Sequence, residues 1–254
     1  MVKEEFTEKC IILKVGQFRE SDCWVRFLSP SRGIMSAFAF GGLKSKRRFP
    51  GCLEALNYVS LYVTSNRTGS YYALQEGSLL RRFSGIHKDL VRWGMAVNCL
   101  KFVVAAHIGA SSSSEVFEHF YLALSLLETQ SHPSDKIPLM FRVWVACEYG
   151  YRPDCLQCIQ CGRRIGLQEK GVFSIDSGCV TCLCCHQSNR IIKGRLLPGE
   201  VLHVMQSIVN QSRLEDNNGQ EISPDSIRIA WQVLDTFVQI HMGLIWDSGD
   251  FRRL

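Results

Sequence analysis

Cysteine placement constrains this chain more than any other feature. Seven of its twelve cysteines (Cys155, Cys158, Cys161, Cys179, Cys182, Cys184 and Cys185) fall within residues 155–185. A C-x2-C pair turns the backbone so that both thiolates point the same way, and two such pairs complete a tetrahedron around a soft divalent ion. Cys158-x2-Cys161 and Cys182-x2-Cys185 are separated by 20 residues. That spacing suits one structural zinc ion better than an iron–sulfur cluster. The same spacing is met three residues earlier, with Cys155-x2-Cys158 and Cys179-x2-Cys182. The later pairing is preferred because Gly162 follows Cys161, where the knuckle turns sharply, whereas Ile159 follows the earlier pair. The extra Cys184 and the neighbouring His186 leave room for ligand exchange. Four thiolates saturate a tetrahedral zinc and leave no position for activated water, so the site is expected to staple a segment poor in apolar residues.

The other five cysteines, Cys10, Cys23, Cys52, Cys99 and Cys147, stand singly among apolar residues and read as small core residues. The opening MVKEEFTEKC carries three glutamates and no apolar stretch of the secretory kind. Apolar runs such as Phe102–Ala106 fall far short of the roughly 20 residues that cross a bilayer. The expectation is a soluble protein of a reducing compartment, the cytoplasm, with no disulfide framework and no membrane partner. At 46% hydrophobic residues over 254 positions, wholesale disorder is excluded.

Charge is as uneven as cysteine. Residues 1–85 hold 13 lysines and arginines against 7 acids, whereas residues 86–254 hold 16 against 17. The positive excess lies in the first third of the chain, as in proteins that meet nucleic acid. Within that third, Lys9–Gly16, Cys23–Leu28, Gly33–Phe40, Leu53–Val63 and Ser70–Glu76 are rich in β-branched and aromatic residues and are separated by turn signals. Five strands in this length predict a small antiparallel barrel of the OB type, although an SH3-like barrel shows much the same pattern.

After Arg82 the apolar period changes to that of a helix. Leu90, Trp93, Val97, Leu100 and Val104 form one stripe. Phe117, Tyr121, Leu124 and Leu127 form another, with Ser112 and Glu115 at capping-box spacing. Leu139–Cys147 is apolar nearly all round, as a central helix would be. Two further helices follow the cysteines. One begins at Pro198; the other has Ser223 as N-cap and Pro224 in its first turn, and carries Ile227, Trp231, Leu234, Val238 and Ile245. Gln211–Glu221 reads as a mobile loop. The fold class is therefore α+β and multi-domain: an N-terminal OB-type barrel over residues 1–82, a helical domain over 83–152 and 190–254, and a four-cysteine zinc finger inserted at 153–189.

Two features suit nucleic acid. Lys44, Lys46, Arg47 and Arg48 follow Gly41-Gly42 in one turn, where they would meet phosphates with strong salt dependence and little sequence choice. If Val25 and Phe27 face the barrel core, Trp24 and Arg26 face outward together and offer an indole for stacking beside a guanidinium. Alternatively, the loop is merely solvated and Trp24 packs beneath the helices. No phosphate loop, dinucleotide fingerprint, zinc-enzyme pattern or nucleophile elbow occurs, which favours a binding protein over an enzyme.

These segments, in this order, resemble the bacterial recombination-mediator family RecO over nearly the whole chain. The resemblance rests on Cys10–Val15 with Arg19-Glu20-Ser21-Asp22, on Gly33-Ile34-Met35 and Gly41–Lys46, on the cysteine pairs with Gly162 and Gly178, and on Gln239–Leu244. Cys155, Cys179 and Cys184 are additional to the family's four-cysteine finger. The resemblance implies a DNA repair protein that is not an enzyme and uses no nucleotide. It implies binding to single- and double-stranded DNA, annealing of complementary strands, contact with the C-terminal tail of single-strand binding protein, and action with RecR to help load RecA at the bacterial nucleoid. Two other readings stand beside it: a zinc-ribbon adaptor that binds only protein, and a redox enzyme using the surplus thiols.

Overall fold

Residues alternate in and out along Cys23–Leu28, and that alternation becomes barrel wall in the computed structural model, which describes residues 4–188, 193–211 and 222–254. The strands β1 (Glu5–Gln17), β2 (Cys23–Ser29), β3 (Gly33–Ala39), β4 (Tyr58–Ser65) and β5 (Tyr72–Arg81) close in the order β1-β2-β3-β5-β4. All neighbours are antiparallel except β3 and β5, which run parallel through Ala37–Tyr72 and Phe38–Ala73. The result is an OB-like barrel filled by Ile12, Val25, Phe27, Val59, Leu61, Val63 and Leu74 together with Cys10, Cys23 and Cys52. Burial raises the thiol pKa of Cys10, Cys23 and Cys52, so these residues pack as protonated apolar groups. The turn into β3 requires glycine: Gly33 has φ +74°, and a Cβ there would lie 2.5 Å from the Ile108 carbonyl oxygen.

Two strands differ from expectation. Residues 53–57 do not join β4. Leu56 has φ +69° and donates its N–H to the Ile12 carbonyl, Asn57 donates to the Glu54 carbonyl, and the segment forms a turn that buries Leu56 and Asn57. Conversely, β5 continues past Glu76, because β4 keeps pairing with it through Ser60–Ser78, Val59–Leu79 and Tyr58–Arg81.

The chain divides into two compact units, Met1–Pro138 and Leu139–Leu254. In the first, the barrel is followed by α1 (Ser84–Lys88), α2 (Leu90–Ala106) and α3 (Ser113–Thr129). Asp89 caps α2 by accepting from the Val91 and Arg92 N–H groups. The expected stripe on α2 is displaced: its buried residues are Ala96, Cys99, Phe102 and Val103, and Leu90 is 88% exposed. A helix that is apolar on most sides admits several stripes at helical spacing, and burial selects only one of them. On α3, Phe117, Leu124 and Leu127 are buried as expected. Ser112 makes no side-chain cap there. Instead Ser113 Oγ donates to the carbonyls of Pro30 and Ala110.

In the second unit, α4 (Ile137–Glu148) buries Leu139, Phe141, Val143, Trp144, Val145 and Ala146, and the Trp144 indole donates to the Ile208 carbonyl at 2.9 Å. A sheet not expected from the sequence follows, in the order β6-β8-β7-β9: β6 (Asp154–Cys158), β7 (Lys170–Ser174), β8 (Cys179–Cys182) and β9 (Arg195–Pro198). Between β8 and β9 lies α5 (Leu183–Ser188). The unit continues with α6 (Gly199–Val209) and α7 (Pro224–Met242). The latter is capped by Ser223, whose side chain accepts from the Ser226 N–H. Helix α7 stops at Gly243, φ +60°, so Ile245 stands in the hairpin β10 (Leu244–Asp247) and β11 (Asp250–Arg253) rather than on the helix. Of the expected loop Gln211–Glu221, residues 212–221 lie outside the described residues.

Candidate metal centre and nucleic-acid interface

Strand pairing assembles the cysteines. β6 ends at Cys158 and runs parallel to β8, which ends at Cys182, so the two knuckles start side by side. After Cys158 the chain reverses: the Gly162 N–H donates to the Cys158 carbonyl at 2.8 Å, and the Cys158 N–H donates to the Arg163 carbonyl at 2.9 Å. Gly162 has φ +72°, the left-handed conformation that side chains resist. The second knuckle passes from the end of β8 into the first turn of α5, which carries Cys185. The Sγ atoms of Cys158, Cys161, Cys182 and Cys185 all lie within 4.8 Å of one another. No other such cluster of histidine, cysteine or carboxylate ligands occurs among the described residues.

The donor set fits a tetrahedral metal ion. Metal–sulfur bonds of about 2.3 Å imply sulfur–sulfur edges of about 3.8 Å, and Cys161 Sγ and Cys182 Sγ stand 3.8 Å apart. Burial raises the Cys158 pKa, but backbone N–H donors from Cys182, Cys161 and Gln160 outweigh it and bring the thiol down to about 6. Cys185 goes the other way, to about 12, chiefly through hydrogen bonds with Cys182 and Cys161. Thiolates this close repel one another, so a proton stays in the cluster unless a cation replaces it.

The extra cysteines are placed differently. Cys155 is fully buried, its backbone N–H donates to Gln206 Oε1 at 2.9 Å, and burial drives its thiol pKa far up. Cys179 donates its thiol to the Ser177 carbonyl, and Cys184 is exposed.

On the barrel, Lys44, Lys46 and Arg47 are exposed in the turn after β3. Lys44 approaches Glu20 at 3.8 Å in a solvated pair worth little. Arg48 is half-buried: its guanidinium donates to the Phe40 carbonyl and lies 5.1 Å from the centre of the Phe49 ring. Val25 and Phe27 point into the barrel, and Trp24 and Arg26 lie on its outer face. Trp24 is half-buried on that face, with Lys14 Nζ 5.7 Å from its ring. Sequence reasoning passed over a neighbouring group, Phe18, Phe38, Phe40 and Tyr71, whose rings meet on the same unit. One signal for it exists in the alternation of β3, where Ala37 and Ala39 are buried and Phe38 and Phe40 take the other side.

Comparison with known proteins adds the family. The description Recombination protein O N terminal matches residues 1–83, and Recombination protein O C terminal matches residues 87–248. The DNA repair protein RecO of Maridesulfovibrio salexigens is 38% identical over 250 residues, covering 98% of this chain and all of the relative. Those of Oleidesulfovibrio alaskensis and Solidesulfovibrio magneticus are 37% and 39% identical, each over 98% of this chain and 100% and 99% of the relative. The chain belongs to the RecO family.

RecO membership carries a role in DNA repair and recombination. The two RecO matches meet between β5 and α2, so the N-terminal one spans the barrel and the C-terminal one spans the helices and the cysteine cluster. Among the described residues no helix is long and apolar enough to cross a membrane.

Proposed function

We propose that the protein is a recombination mediator that works without nucleotide. It binds single- and double-stranded DNA through residues 1–82, anneals complementary strands, and acts with RecR and the tail of single-strand binding protein to help load RecA, in the cytoplasm at the nucleoid. The observation that carries this is the exposed run Lys44, Lys46 and Arg47 on an OB-like barrel, with Arg48 behind it and Trp24 and Arg26 on the outer wall. Annealing requires that phosphate repulsion between two strands be screened while the bases stay free to pair. Mobile surface cations supply that screening, and loose contacts allow release.

Cys158, Cys161, Cys182 and Cys185 are proposed as the ligands of one zinc ion within an insertion at 153–189, which interrupts a helical domain assigned to residues 83–152 and 190–254. Bound there, zinc cross-links the two knuckles and has no open coordination position. The protein's own contribution is to present the four sulfurs from β6, β8 and α5, and the role is structural, not catalytic.

A salt-titrated binding assay tests the reading. Affinity for single-stranded and duplex oligonucleotides should fall steeply and linearly on logarithmic axes as salt rises. A protein that ignores both in dilute buffer is instead a protein-binding adaptor.

A further inference from the structure

We infer that the four-cysteine centre is also a peroxide-sensitive switch, in which oxidation joins Cys161 to Cys182 and releases the metal. The inference rests on the proposed zinc assignment and adds the chemical signal, a hydroperoxide, to which that site responds. The four sulfurs are not equally placed. Cys158 and Cys182 are each 1% exposed at the ends of β6 and β8, whereas Cys161 is exposed in the turn after β6 and Cys185 is half-buried on α5. Metal binding keeps all four as thiolates, so ionisation does not rank them and access to the oxidant does. Cys161 is the sulfur that a small peroxide reaches first.

The second sulfur is at hand. Cys182 Sγ lies 3.8 Å from Cys161 Sγ, and a disulfide bond needs about 2 Å. The gap closes by movement of Gln160 and Cys161, which lie in a solvent-exposed turn, while Cys182 stays anchored in β8 opposite Gly171. The Arg163 guanidinium, paired with Glu169 at 2.7 Å, also hydrogen-bonds the Cys182 sulfur. A fixed cation beside that sulfur favours the thiolate that must attack. The surplus cysteines stand apart: Cys155 is fully buried, the Cys179 thiol donates to the Ser177 carbonyl, and Cys184 is exposed but outside the cluster.

The chemistry balances with hydrogen peroxide as the oxidant. The Cys161 thiolate attacks one peroxide oxygen; an S–O bond forms, the O–O bond breaks, and the hydroxide released takes up a proton. The Cys182 thiolate then attacks the Cys161 sulfenic acid; the S–S bond forms, and a second hydroxide leaves and takes up a proton. The pair of sulfurs loses two electrons and the peroxide gains them, yielding one disulfide and two waters. Two sulfurs then remain as ligands where a tetrahedral ion needs four, so zinc leaves. The new bond joins the same two knuckles, and oxidation thereby exchanges a metal cross-link for a covalent one.

The test takes the full chain loaded with zinc, adds hydrogen peroxide with a chromophoric chelator present, and maps disulfides by mass spectrometry. One zinc should be lost for each Cys161–Cys182 disulfide formed. Dithiothreitol with added zinc should reverse both changes, and Cys184→Ala should alter neither. Zinc held while Cys184 alone oxidises, a disulfide between any other pair, or zinc lost through sulfonic acids that thiols cannot reduce would each overturn the switch while leaving the zinc assignment in place. A reduced chain that takes up no zinc would overturn the assignment and the switch with it.

Discussion

The Trp24 indole lies against the backbone of Gly16, its cross-strand partner: a Cβ added to Gly16 would stand 2.3 Å from the ring. Only glycine lets the indole lie flat there, with Lys14 near its face. Gly16→Ala should therefore swing the ring outward. The expected cost is roughly 1 kcal/mol, the low end for overpacking, because the displaced group is a side-chain end with solvent beside it. The check is the tryptophan emission difference between Gly16→Ala and Trp24→Phe/Gly16→Ala, which should be red-shifted relative to the same difference on the Gly16 background.

Arg48 differs from the other loop cations. Lys44→Ala/Lys46→Ala/Arg47→Ala removes three exposed charges and should leave the melting temperature unchanged, while the slope of log affinity against log salt falls by about 2 for single strands. Arg48→Ala should also loosen the turn, since it removes the bond to the Phe40 carbonyl. Proteolysis within residues 40–50 should then speed up in that variant alone.

Cysteine substitutions separate the metal centre from its neighbours. Cys158→Ser or Cys182→Ser should lower bound zinc well below one per chain and expose residues 155–185 to protease. Cys155→Ala removes a buried thiol outside the cluster and should retain full zinc. Zinc lost from Cys155→Ala and kept by Cys161→Ser or Cys185→Ser would reverse the proposed ligand assignment.

Zinc uptake should strengthen with pH. In the metal-free cluster Cys158 is ionised above about pH 6, whereas Cys185 holds its proton up to about 12. Binding four thiolates between pH 6 and 9 must expel at least the Cys185 proton, so log affinity should rise by one or more per pH unit. Below about 6, Cys158 is protonated as well and the dependence should steepen by about one further proton. Competition with a chromophoric chelator at pH 5.5, 6.5, 7.5 and 8.5 reads both slopes.

The barrel was legible where alternation is local: Val25 and Phe27 against Trp24 and Arg26 mark the two faces of β2 without outside help. It was not legible at Leu53–Asn57, apolar enough for a strand, where the positive φ of Leu56 is set by packing. The sheet of the second unit escaped because strands as short as Cys179–Cys182 owe their conformation to partners distant in sequence. The cysteine spacing anticipated four converging sulfurs, since two C-x2-C turns are local geometry. The aromatic group on the barrel was hidden for the opposite reason: Phe18, Phe38 and Tyr71 become neighbours only when the barrel closes.

The central claim is that this cationic barrel brings DNA strands together without fuel. The most direct measurement is the annealing rate of two complementary fluorescent oligonucleotides with purified protein, no nucleotide present and zinc quantified on the same sample. The expected result is acceleration at low salt that fades as salt rises and is largely lost in Lys44→Ala/Lys46→Ala/Arg47→Ala. No acceleration over protein-free strands, or acceleration only when ATP is added, would contradict it.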